Sequence, residues 1–217
     1  MIFSFDIDGT LIDHNKLLFE SYREAIRTTY GKVISNMPKE LVGNTDYQNL
    51  LILGSVAGVS DIELTNTIKY LSTTFIRIYI SKFESIKWTE CKNAKYTVDY
   101  LLNQKKYKVG IHSGGYKKTS INKLKIFNYE ISKFSFLFFG DKKSNRSEVL
   151  NGINTRFPVS QEVYIVGDTP QDIISAKENG FKSIAVSTGK FTYGTLLKEK
   201  PDLCIHNLKE LITMLDL

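Results

Sequence analysis

Two carboxylates one residue apart, Asp6 and Asp8, are followed at once by Gly9 and Thr10. In a straight strand, residues i and i+2 point the same way, so these acids would crowd each other and raise each other's pKa unless a cation or a proton intervened. Gly9 lets the backbone turn sharply at that point. Three later apolar runs also end in polar groups. Lys108 to His112 leads into Ser113, Gly114 and Gly115, where free N–H groups of a helix start could cradle a phosphate. Phe134 to Phe139 leads into Asp141, Lys142, Lys143 and Arg146, and Val163 to Val166 leads into Asp168, Thr169, Pro170 and Asp172. Singly, each has a plain explanation: an Asp-rich turn, a capping serine, a solvated basic loop, or a helix start with Thr169 at N-cap, Pro170 at N1 and Asp172 at N3. Capping does not explain Asp168. Gathered on one edge, the carboxylates, a hydroxyl, a helix N-terminus and a lysine need a hard cation. All-oxygen ligation with few protein ligands suits Mg²⁺. A carboxylate nucleophile, a second carboxyl to give and take a proton, and cations around a phosphoryl group make a coherent set for phosphoryl transfer.

Those residues need elements to position them. Ile2, Phe3, Phe5 and Ile7 form a short apolar run that reads as a strand buried on both faces. From Asn15 to about Glu84 the pattern is helical, with no convincing strand. One helix carries Leu18, Tyr22, Ala25 and Ile26 and stops at Gly31, and a second spans roughly Tyr47 to Ala57. A third, capped by Ser60 or Asp61, presents Leu64, Ile68, Leu71, Phe75 and Ile78. Beyond about Asn93, helices and strands alternate. Strands are expected at Tyr107 to His112, Phe134 to Phe139, Glu162 to Val166 and Ser183 to Val186, with a possible edge strand at Leu203 to Ile205. The expected fold is α/β: a Rossmann-like parallel sheet core, residues 1–14 and 92–217, with an inserted α-helical bundle cap, residues 15–91. In such sheets, ligands bind at the carboxyl ends of the strands.

The 217 residues, 42% hydrophobic and 24% charged, suit an ordinary soluble protein with one good core and a smaller lobe. No apolar run approaches the ~20 residues of a membrane span. Met1 leads straight into a strand with no basic, then apolar, leader, so no signal peptide is expected and a cytoplasmic location is the default. Cys91 and Cys204 stand far apart and alone, which makes neither a disulfide framework nor a zinc site, and His14, His112 and His206 lack metal-ligand spacing and read as structural. The net charge is +6, with lysines concentrated between Lys105 and Arg146. They fall on several helices and loops rather than one stripe, so most read as solvated, and a nucleic-acid partner is not expected.

With these motifs in place, the chain resembles the haloacid dehalogenase superfamily, on its phosphoglycolate phosphatase-like branch with a helical cap. Asp6-Ile-Asp8-Gly9-Thr10 is similar to the family's DxDGT motif, Ser113 to its second-motif Ser/Thr, and Gly167-Asp168-Thr169-Pro170-Gln171-Asp172 to its GDxxxD motif. The Gly43-Asn44-Thr45-Asp46 turn is similar to a cap segment of that branch. The second motif departs from the pattern, with Ser113-Gly114-Gly115 where Thr-Gly-Asn is common, so a side-chain amide is absent. The third-motif cation is expected at Lys143 by its distance ahead of the next helix, with Lys142 beside it and Arg146 as a cationic substitute.

The resemblance implies a Mg²⁺-dependent phosphatase acting on a small phosphorylated metabolite, phosphoglycolate-like or a sugar phosphate. Asp6 is the implied nucleophile, Asp8 the acid and base, and Lys143 the third catalytic group. Ser113, Gly114 and Thr10 are implied to bind the substrate phosphate. Asp6, Asp8 through its main-chain carbonyl, and Asp168 would bind the metal, with Asp172 orienting that shell. A dehalogenase would need neither Asp8 nor Mg²⁺. A sugar phosphomutase of the same superfamily would keep every one of these residues, and a non-catalytic module contacting nucleic acid would not need the full set of acids.

Overall fold

The structure, a computed structural model, describes residues 1–13, 15–158 and 160–214, so His14 lies outside it. Among the described residues, a six-stranded parallel sheet has the order β3-β2-β1-β4-β5-β6. Its strands are β1 (Ile2–Phe5), β2 (Lys108–Ser113), β3 (Phe136–Phe139), β4 (Val163–Gly167), β5 (Lys182–Val186) and β6 (Leu203–Ile205). The apolar run at the N-terminus is central because both its faces are covered: Ile2, Phe3 and Phe5 are fully buried.

Alternation along β1 divides the core. Phe3 and Phe5 join α4 (Ala94–Leu102), α5 (Lys117–Ile126) and α9 (Lys209–Met214) through Val98, Leu101, Leu124 and Leu211. Ile2 points the other way, to Leu150 and Ile153 of α6 (Arg146–Arg156) and Ala176 of α7 (Pro170–Glu178). A short α8 (Tyr193–Lys198) packs beside β6. Register then aligns the strand ends. Phe5 pairs with both Ile111 and Val166, so Asp6 emerges level with His112 on one side and Gly167 on the other.

Between β1 and α4 the chain forms α1 (Leu17–Tyr30), α2 (Asp46–Val56) and α3 (Asp61–Ser81). They share an apolar cluster of their own, including Tyr22, Ile26, Leu53, Leu71 and Phe75, to which the α5 side contributes Tyr116. The chain leaves and re-enters the sheet layer along one track: Ile12 bridges Glu90, and the Asp13 N–H donates to the Thr89 carbonyl at 2.8 Å. Cys91 and Cys204 are both buried free thiols. No described helix is long and apolar enough to cross a membrane.

Candidate active site

Asp6 continues the face of β1 that carries Ile2 and Ser4, and therefore looks toward α6 and α7. It is 3% exposed. Arg146, the first residue of α6, brings Nη2 to 2.7 Å from Asp6 Oδ1 and to 2.7 Å from Asp172 Oδ1, and its Nε donates to the same Asp172 oxygen at 3.1 Å. The other Asp172 oxygen accepts the Thr169 N–H and hydroxyl, closing a capping box at the start of α7. Behind them His112 places Nε2 3.4 Å from Asp172 and Nδ1 3.0 Å from the Ser4 hydroxyl.

The charges follow from this packing. Burial pushes the Asp6 carboxyl well above the usual carboxylate range. Arg146 opposes that shift, and Asp172, Asp168 and Asp8 add to it. Burial acts the same way on Asp172, but Arg146 and His112 outweigh it and hold that carboxyl low. His112 has its pKa lowered by burial and so stays neutral near pH 7.

Asp8 answers to a different cation. The chain turns at Gly9, which has φ +83°, and the Gly9 N–H donates to the Ile12 carbonyl at 2.7 Å. The Asp8 side chain meets α5, where Lys123 Nζ lies 2.8 Å from Oδ1 and 2.6 Å from Oδ2. Lys123 is 2% exposed, whereas the Asp8 side chain, at 27%, meets the cleft. Burial works against the Lys123 charge, but Asp8, Tyr79 and Asp46 overcome it and raise its pKa. Asp46, at the start of α2, accepts the Tyr22 hydroxyl on one oxygen and the Tyr116 N–H on the other at 3.2 Å. Burial pushes its carboxyl up to about 6, against Lys123 and the Tyr22 hydrogen bond.

Ser113 and Gly114 lie beside the two acids in the same cleft. Ser113 does not cap α5: Tyr116 holds the N-cap position, and Ser113 Oγ instead accepts the Gly115 N–H at 3.1 Å. Asp46 and Asp141 take the N–H groups of Tyr116 and Lys117, so those two donors at the helix start are already engaged by the protein. Gly114 is required by a close approach: a Cβ there would sit 2.5 Å from the Asn44 carbonyl oxygen and 2.8 Å from Arg146 Nη1. Thr10 is fully buried, and its hydroxyl donates to Asp168 Oδ1 at 3.3 Å, behind the cleft rather than in it. The Gly43–Asp46 turn closes over the sheet edge. The Asp46 N–H donates to the Gly114 carbonyl at 2.8 Å and the Thr45 hydroxyl to the Lys143 carbonyl at 2.7 Å.

The third-motif expectation needs correcting in its placement. Lys143 is exposed and meets the site only through that carbonyl, and Lys142 is exposed too. Asn145 caps α6, so the first residue inside the helix, Arg146, is the one carried onto Asp6. The other cation, Lys123, is a departure from the solvated reading of the basic stretch. Its signal was its place on the α5 face that buries Thr119, Ser120 and Leu124, three and four residues away or adjacent.

The donor set fits a hard cation. Asp168, Asp8 and Asp172 all raise the proton affinity of buried Asp6, an excess of negative charge that Arg146 offsets only in part. Asp6, His112 and Asp172 also come within 4.8 Å of one another, but Arg146, Ser4 and the α7 cap already engage the latter two. The metal set implied by the sequence resemblance is instead Asp6, the Asp8 main-chain carbonyl and Asp168, all of them oxygen donors.

A provisionally named pyrophosphatase, PpaX, from Caldanaerobacter subterraneus subsp. tengcongensis is 25% identical over 97% of this chain and 92% of its own length. A phosphoglycolate phosphatase of Pseudomonas fluorescens is 24% identical over 96% of this chain and 77% of its own. The crystal structure of a hydrolase from Pseudomonas syringae superposes with a TM-score of 0.76 over 99% of this chain and 97% of that one, at 19% identity. Residues 3–186 match the haloacid dehalogenase-like hydrolase family as a whole, and the chain belongs to that family.

Proposed function

We propose that the chain is a Mg²⁺-dependent phosphatase that hydrolyses a small phosphorylated metabolite, phosphoglycolate-like or a sugar phosphate, through an aspartyl-phosphate on Asp6. The observation that carries this reading is the floor of the cleft. A buried carboxylate is held there by a guanidinium, and a second, partly exposed carboxylate in the same cleft is held by an ammonium. The names of the phosphatase relatives support the same reaction class.

Asp6 attacks phosphorus in line as the ester oxygen leaves, and Asp8 gives that oxygen a proton. A water then attacks the aspartyl-phosphate while Asp8 takes its proton, so inorganic phosphate departs and both carboxyls return to their starting states. Arg146 holds Asp6 in place and offers positive charge to the phosphoryl oxygens. Ser113 and Gly114 border the space those oxygens occupy. Asp6, the Asp8 main-chain carbonyl and Asp168 would hold Mg²⁺, which when bound neutralises the converging acids and the phosphoryl charge. Asp172 serves by fixing Arg146. Residues 15–91, read as a cap on a core of 1–14 and 92–217, cover the cleft, keep bulk water out and supply specificity from Phe19, Val42 and Asn44.

The test is release of p-nitrophenol and phosphate from p-nitrophenyl phosphate in Mg²⁺. Activity is expected to vanish with Asp6→Asn and with EDTA, and undiminished turnover in either case refutes the reading. Product analysis on a sugar phosphate separates hydrolysis from a mutase reaction, which would return an isomeric sugar phosphate instead of inorganic phosphate.

A further inference from the structure

The geometry points to Lys123 as the positioning residue for Asp8, clamping its carboxylate for proton transfer only while the α1–α3 bundle is docked on α5. This rests on the phosphatase reading and goes beyond it, because the family motifs that identify the site do not include a residue of α5.

Lys123 Nζ reaches both oxygens of one carboxylate, at 2.8 and 2.6 Å. An ammonium has three donors and no acceptor, so both Asp8 oxygens accept from it once the proton has been given, whereas a protonated Asp8 keeps one oxygen on Lys123 and turns the O–H on the other toward the cleft. The plain alternative is an ion pair that merely stabilises the fold. Two observations argue against it. Asp8 is 27% exposed at the cleft and can be solvated without a lysine. Burying an ammonium at 2% exposure is a poor route to stability, since apolar residues of similar volume commonly do as well. A buried cation facing a cleft acid is instead explained by where it holds that acid.

The surroundings of Lys123 tie this clamp to the bundle. Its Nζ lies 5.4 Å from the ring centroid of Tyr79, on α3, and the Asp46 carboxylate of α2 adds to the field that keeps it charged. Both belong to the inserted helices, whereas Lys123 and Asp8 do not. The two layers are further joined by the Ser72 and Tyr116 hydroxyls at 2.6 Å. If the bundle lifted, the ammonium would lose its ring and its second acid, and Asp8 would lose a fixed partner.

The experiment compares p-nitrophenyl phosphate with phenyl phosphate on the full chain in Mg²⁺. The two esters have nearly the same shape, but phenolate leaves far less readily without a proton. For Lys123→Ala, kcat on phenyl phosphate is expected to fall ~100-fold and on p-nitrophenyl phosphate by ~10-fold or less, with KM little changed. Ethylamine, but not ethanol, should restore part of the loss. If Lys123→Ala does not fold, Tyr79→Leu leaves the ion pair in place and removes one wall of its cage. The same bias between esters is then expected at a few-fold size. An active wild type whose variants lose nothing, or lose equally on both esters, overturns the inference alone. A wild type inert toward both esters overturns the phosphatase reading and the inference with it.

Discussion

Asp6 and Asp8 are near neighbours in sequence, yet the fold gives them opposite environments. Asp6 is fixed from the sheet side by Arg146, which Asp172 and the α7 cap hold in turn, and every member of that group is nearly dry. Asp8 is fixed from the helical side by Lys123, under the inserted bundle and at the edge of the cleft. Under the proposed mechanism, the first arrangement would keep the nucleophile from moving, and the second would let Asp8 meet both the leaving oxygen and a water. The difference goes with the end of β1 at Phe5: beyond it the chain bends at Ile7, whose carbonyl accepts the Leu11 and Ile12 N–H groups, so the two acids do not follow one straight strand.

The largest expected effect would break the Asp6 half outright. Asp6→Asn should lower turnover of p-nitrophenyl phosphate by at least ~10³-fold while leaving the melting temperature near that of wild type or above it, since it removes one of several converging buried acids. Arg146→Met should be the costliest change to stability. It strands Asp172 and Asp6 without their common cation, so a loss of about 3–5 kcal/mol is expected, read as a fall of roughly 10 °C in thermal unfolding. Lys123→Met should cost clearly less by the same measurement, because water reaches Asp8; an equal or larger loss would erase the contrast between the halves.

Asp46 sharpens the comparison through pH. Its carboxyl rises in the folded chain from the ordinary 3.8 to about 6, so the fold binds this proton more tightly than the unfolded chain does. That contribution to stability is fully present below about 3.8 and is lost as pH rises through about 6. Asp46→Asn should therefore flatten the decline in melting temperature over that window, a difference on the order of 3 kcal/mol. An unchanged pH profile would show that Asp46 is not held as the packing implies. The smallest expected effect belongs to Lys143→Ala. An exposed side chain outside the cleft should change stability by less than about 0.5 kcal/mol and activity by less than about twofold.

Much of the scaffold was legible because it is written locally. Ser60 caps α3 and Gly31 closes α1 in the left-handed conformation, as their residue types suggest. The Thr169-Pro170-Asp172 start of α7 forms the expected capping box. Even the three-residue edge strand Leu203–Ile205 is present. Capping and alternation depend on neighbours a few residues away, so they survive without knowledge of the fold. The cations were harder. Lys143 and Arg146 are three residues apart, and only the direction in which the α6 N-terminus meets the sheet decides which one faces Asp6. Lys123 looked like one more surface lysine, because its partner is 115 residues away.

By itself the sequence determined that apolar strands end in acids, a hydroxyl and cations, and that a helical segment interrupts them, since residue type and period are local properties. The tertiary structure decided which cation serves which acid and that Asp46 and Tyr79 close the cage around Lys123. Charge pairing in a buried site depends on distances across the sheet and between layers, and those exist only once register and packing have brought remote residues together.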